Sequence, residues 1–181
     1  MQRTSDTNPL LHMEFRIPFD RIRAEHVQPA AIELLRQART SLASLAGPDG
    51  ERTFDNTLHA LDTLAEPLDW AMGVVHHLES VATYPELRAA FNAAQPEVSA
   101  VYTGIPLDAG LWNNIKTYAA TPEAAQLTGA RRRYLHKTIE TFRRHGADLE
   151  PAGKKRLEEI DVELTQITTK FGENVLDSTN A

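Results

Sequence analysis

Apolar residues along this chain recur at steps of three and four over most of its length, which is the spacing of one face of an α-helix. Val27, Ala31, Leu34, Leu35, Ala38, Leu42 and Leu45 form a first such run, beginning near Ala24. Pro29 falls in its first turns, and Gly47-Pro48-Asp49-Gly50 closes it with a turn. A second run covers residues 55–80, with Phe54, Leu58, Leu61, Leu64, Leu68, Met72, Val75 and Leu78 in one stripe. Asp55 or Asn56 is placed to cap its start. Pro67 sits inside that stripe and predicts a kink, because proline removes one backbone hydrogen bond.

A third run opens at Thr83-Tyr84-Pro85-Glu86 and continues through Leu87, Phe91, Val98 and Tyr102 toward Gly104, with a further kink predicted at Pro96. A short helix is predicted over residues 107–119. Thr121-Pro122-Glu123 then opens another, with threonine as cap and proline in the first position, and Gly146 as the stop. The last helix starts near Glu150 or Pro151. Its stripe, Leu157, Ile160, Leu164, Ile167, Phe171 and Val175, is the cleanest in the chain and approaches the period of a coiled-coil seam. Gly172 lies inside it and predicts a close neighbour or a bend.

No stretch alternates with a period of two. The expected fold is therefore all-α, an antiparallel helical bundle of about six helices joined by short loops. Residues 1–23 have no helical period. Leu10, Leu11, Phe15, Ile17, Phe19 and Ile22 predict an extended N-terminal arm packed on the core, with residues 24–181 forming the helical domain.

Composition narrows the chemistry. The 181 residues are 41% hydrophobic and 24% charged, which is globular, and chains near this size bury roughly 70% of their unfolded surface. The net charge is −6, all of it in residues 1–120, and speaks against a nucleic-acid partner. The absence of cysteine removes thiolate metal sites, cysteine nucleophiles and disulfides. No run is long enough for a membrane span, and the first residues lack the apolar core of a secretory signal, so a soluble cytoplasmic protein without membrane contact is expected.

Seven histidines are present: His12, His26, His59, His76, His77, His136 and His145. None forms H-E-x-x-H, the spacing that lets two imidazoles on one helix face share a zinc ion while the glutamate reaches its water. The adjacent His76 and His77 point about 100° apart on a helix, and the pairing of His77 with Glu79 or Glu66 reads as a partly exposed helix histidine and not a ligand set. Ser41, Ser44, Ser80 and Ser99 lie in helical patterns without a nucleophile elbow. The carboxylates Glu158, Glu159, Asp161 and Glu163 read as a solvated helix surface. Arg131, Arg132, Arg133, Lys137, Arg143 and Arg144, with Glu140 among them, form a basic cluster, read as a solvated face paired with acids from the first 120 residues. Trp70, Trp112 and Tyr134 read as core. On local chemistry the chain holds no catalytic, cofactor-binding or metal site.

Two stretches carry a resemblance. The first is Asn8-Pro9-Leu10-Leu11, Ile17-Pro18-Phe19, Ile22 and Glu25-His26-Val27-Gln28-Pro29-Ala30. The second is Phe142-Arg143-Arg144-His145-Gly146-Ala147-Asp148-Leu149, Arg156-Leu157, Ile160, Leu164 and Phe171-Gly172-Glu173-Asn174-Val175-Leu176-Asp177. In order and spacing they resemble the N-terminal region of the thimet oligopeptidase and oligopeptidase A family of zinc metallopeptidases, and Pro85-Glu86-Leu87-Arg88 between them fits the same pattern.

The resemblance implies a two-lobed, all-α zinc metalloendopeptidase acting on short peptides. It implies N-terminal helices that wall a deep channel, and a zinc on H-E-x-x-H and a downstream glutamate that polarises water. That motif lies beyond Ala181 in such enzymes, so this chain is expected to be a channel-wall and scaffold fragment, inactive alone and without zinc. Its partner is the missing C-terminal catalytic part. His26, Asn174 and Asp177 match the pattern and read as structural. The competing reading is a stand-alone, non-enzymatic helical interaction module. The fragment reading predicts an exposed apolar patch where the rest would pack, along the last helix. An unrelated helical enzyme would instead show a closed polar pocket with convergent titratable groups.

Overall fold

A computed structural model of the chain describes residues 8–48 and 50–179. Residues 1–7 of the expected arm, Asp49 of the expected turn and residues 180–181 lie outside them. The fold is all-α, with no strand among the described residues. A 3-10 turn (Pro9–Leu11) is followed by α1 (Ala24–Ala46) and a π-helical turn (Asp55–His59) that runs into α2 (Ala60–Thr63). Then come α3 (Glu66–Val81), α4 (Pro85–Leu107), α5 (Ala109–Ala119), α6 (Pro122–Gln126), α7 (Gly129–Arg144) and α8 (Pro151–Thr179).

The helical stripes are where the periodicity placed them, but two are divided. At Pro67 there is a break, not a kink. α2 ends at Thr63, Ala65 leaves helical geometry at φ −112° and ψ 7°, and Pro67 stands in the first turn of α3. There its missing N–H has no partner to lose, whereas inside a continuous helix its ring would clash with the preceding turn. The second division is at Leu127 (φ −59°, ψ 139°) and Thr128 (φ −130°, ψ 168°), extended residues that separate α6 from α7. Leu127 leaves the helix and is buried with Leu58, Tyr118, Ala124 and Leu135. α4 runs through Pro96 and on past Gly104 to Leu107. Pro29 is the sixth residue of α1, past the free amides of the first turn.

Contacts divide the chain into two units. The first comprises residues 1–38, 65–99 and 162–181. Its core is built from the α1 residues Val27, Leu34 and Leu35, Leu68 and Val75 of α3, and Leu87 and Phe91 of α4, all buried. The N-terminal residues join it at Leu10 and Ile22, while Phe15 is fully exposed and Phe19 partly so. Asn8 caps the 3-10 turn through the Leu10 amide at 3.0 Å and donates to the His26 carbonyl at 2.8 Å. The His26 ring accepts from the Arg23 amide at 3.0 Å, and the Ala24 amide donates to the Tyr84 hydroxyl at 3.0 Å. Three side chains thus hold the entry to α1, and His26 is a capping residue.

The second unit comprises residues 39–64 and 100–161. Thr53 and Asn56 form a reciprocal cap at the π-helical turn, each side chain accepting from the other's amide at 3.2 and 2.9 Å. Asn56 therefore acts in the first turn and Thr53 is the cap. Buried Asn114 donates to the carbonyls of Leu45 and Gly47, both at 2.8 Å, and so satisfies the free end of α1. Gly110 lies so close to that end that a Cβ there would be 2.6 Å from the Ala46 carbonyl oxygen. Thr121 caps α6 through the Ala124 amide at 3.1 Å, as its sequence predicts.

α7 closes on Gly146 (φ +89°), with the Ala147 amide on the Phe142 carbonyl at 2.9 Å and the Gly146 amide on that of Arg143 at 3.1 Å. These two bonds define a Schellman cap. Next to it, Asp148 accepts from the Trp112 indole at 2.9 Å, and Trp112 stacks on Phe142 with centroids 5.9 Å apart.

Candidate functional site

In the first unit α8 has two faces of unequal character. Advancing about 100° per residue, Val162, Thr165, Thr169, Glu173 and Leu176 fall on one side. Leu164, Ile167, Phe171 and Val175 fall on the other, about 150° away. The first side packs, and it is the more polar of the two.

Glu173 is buried and accepts from Asn92 and, at 3.1 Å, from Lys170. The Asn92 bond holds its carboxyl below the ordinary 4.5, against the opposing effect of burial and with help from Lys170. The hydroxyls of Ser99 and Thr165 are 2.6 Å apart. Arg88 of α4 donates to both Asp177 oxygens at 2.9 and 3.0 Å, and to buried Glu79 of α3 at 3.2 Å. One guanidinium thus ties together α3, α4 and α8, its Nη1 shared between the two Asp177 oxygens and its Nε on Glu79.

The other side of α8 faces solvent. Leu164 is 53% exposed, Ile167 58%, Phe171 69% and Val175 46%. Ile160, farther back on the same helix, is also exposed. The apolar patch expected of a fragment is present where the sequence pointed. A Cβ at Gly172 would meet nothing within 4 Å, so neither a tight neighbour nor a strained backbone explains that glycine.

Two grooves of about 540 Å³ each flank the packed side. One is lined by Phe91, Gln95, Thr169 and Val175, among others, and the other by Tyr84, Arg88, Lys170 and Asp177, among others. Both are open, and their charged groups are already paired with one another.

The sequence-derived metal candidates do not converge. His76 stacks on Phe91 and His77 meets Phe19, each at 5.6 Å between ring centroids. Glu79 belongs to Arg88. His26 caps α1, and His145 sits 2.8 Å from the Thr141 carbonyl. Among the described residues no three His, Cys, Asp or Glu side chains are placed to hold a metal ion.

Asp177 is engaged within the chain by Arg88, and Asn174 is exposed. The basic cluster of α7 is solvated, but its ion pairs are local: Lys137 with Glu140 at 2.7 Å and Arg143 with Asp148 at 3.7 Å. Neither acid comes from the first 120 residues. Arg131 instead lies over the Phe54 ring, at 4.6 Å. Trp112 is buried, as expected, between α5 and the α7 cap. Tyr134 is half-buried, and desolvation, with Asp62 nearby, pushes its hydroxyl up to about 12.

Residues 31–156 match the model of the neurolysin/thimet oligopeptidase N-terminal domain, and the chain belongs to that family. It is 31% identical over 97% of its length to the "Probable cytosolic oligopeptidase A" of Arabidopsis thaliana, covering 25% of that protein. It is also 31% identical over 97% of its length to the organellar (chloroplastic/mitochondrial) oligopeptidase A of the same plant, covering 22% of it. To oligopeptidase A of Escherichia coli it is 28% identical over 96% of its length, covering 25% of that protein. The chain thus spans about a quarter of the length of these relatives. No helix among the described residues is long and apolar enough to cross a membrane.

Proposed function

We propose that this chain is the N-terminal helical part of a longer zinc metalloendopeptidase that hydrolyses short peptides, in which it serves as channel wall and scaffold. The family membership, with coverage of only about a quarter of each relative, carries this reading. The exposed apolar side of α8 supports it, since soluble monomers rarely leave such a stripe bare. In this reading zinc and the groups that act with it belong to the remainder of the parent protein, together with the peptide-cleaving step. The cytoplasm is its proposed compartment, in keeping with the cytosolic relative.

Two measurements test it. Reading the source locus past the codon for Ala181 is expected to show an open frame continuing into H-E-x-x-H. A stop codon there would leave a stand-alone interaction module. The purified 181-residue chain is expected to retain no stoichiometric zinc by elemental analysis and to cleave no fluorogenic peptide. One zinc per chain with chelator-sensitive cleavage would refute the assignment of the active site to the remainder.

A further inference from the structure

We propose that Leu164, Ile167, Phe171 and Val175 of α8 form the seat for an apolar surface supplied by the remaining polypeptide of the same parent protein, so that α8 is an interior helix there. This rests on the reading of the chain as part of a longer peptidase. The helix is turned in an unusual sense. A helix on the outside of a finished domain packs its apolar stripe and gives its polar side to water. In the first unit, α8 instead packs Val162, Thr165, Thr169, Glu173 and Leu176 and leaves Leu164, Ile167, Phe171 and Val175 outside. The inward side is fixed by specific bonds, from Asn92 to Glu173, from Arg88 to Asp177 and between Ser99 and Thr165. Rotating α8 to bury its apolar side would break all of them. The orientation is therefore committed, and the exposed side remains for a second layer.

Two observations choose the occupant. The family relatives carry about three quarters of their length outside the region this chain matches, which is ample for another layer of helices. A net charge of −6 on each copy opposes a second copy of the chain as the occupant.

The chain contains no cysteine, so one introduced thiol reports on one place. Phe171→Cys and Leu164→Cys are made separately, in the 181-residue chain and in the full-length parent. Each thiol's rate of reaction with a small maleimide is compared with its rate in denaturant. In the 181-residue chain both thiols are expected to react nearly as fast as when unfolded. In the full-length protein the rate is expected to fall by about tenfold or more, as for a packed position. Equal rates in the two proteins would overturn the proposal while leaving the peptidase assignment intact, since peptide cleavage by the parent is read separately. Protection in the 181-residue chain that grows with its concentration would also overturn it, by identifying a second copy as the occupant. A stop codon after Ala181 would remove both this proposal and the reading on which it rests.

Discussion

Gly146 ends α7 in the left-handed region, at φ +89°, and a Cβ there would stand 2.7 Å from the Leu149 side chain and 2.9 Å from that of Leu157. Backbone strain and crowding act together, so Gly146→Ala is expected to lower the unfolding free energy by about 1–2 kcal/mol or more, read from urea denaturation. Glu173 gives a pH-dependent test. Its carboxyl is held below 4.5 when folded, so its contribution is complete above the unfolded value and is lost as the pH falls through the folded one. Glu173→Gln is therefore expected to be less stable than wild type near neutrality, with the gap closing in acid below about pH 4. A gap that stays constant in denaturation series across that range would show that the charge is not what Asn92 and Lys170 hold. Glu173 was quoted in the sequence only as part of a family-like string. Its burial could not be read there, because Asn92, its partner on α4, lies far away in the sequence, and Lys170, three residues back, is a neighbour any exposed glutamate on a helix could have.

Helices were legible because each needs only a local repeat, but their limits were set by packing. The stripe through residues 55–80 stays in phase across Pro67, so periodicity alone could not show that two helices meet there. Leu127 belongs by spacing to a helix with Tyr134 and Leu135, yet it enters the core from an extended residue. Thr121, by contrast, announced its cap, because a threonine before Pro-Glu satisfies an amide three residues on without help from the rest of the fold. The apolar stripe of α8 stands where its spacing placed it, and its outer members are exposed. A substitution on its outer side separates packed from bare. Phe171→Ser in the 181-residue chain is expected to change unfolding free energy by no more than about 0.5 kcal/mol and to improve solubility. A loss of about 3–5 kcal/mol in thermal or chemical denaturation would mean that Phe171 is packed after all.

Across the whole chain, the fold class and the family could be read from sequence because helical period and motif order survive at 28–31% identity. The candidate site was legible only in outline. The stripe along α8 is a sequence feature, but its exposure follows from which side of the helix Arg88, Asn92 and Ser99 select. The two tryptophans extend this to an experiment on cooperativity. Trp70 lies in α3 of the first unit, and Trp112 in α5 of the second, with its ring between Phe142, the Asp148 carboxylate and the Lys116 and Arg143 cations. Each unit thus carries its own fluorophore. Replacing either one with phenylalanine leaves an emission spectrum that belongs to the other, so each half of the chain can be followed through a melt by its own light.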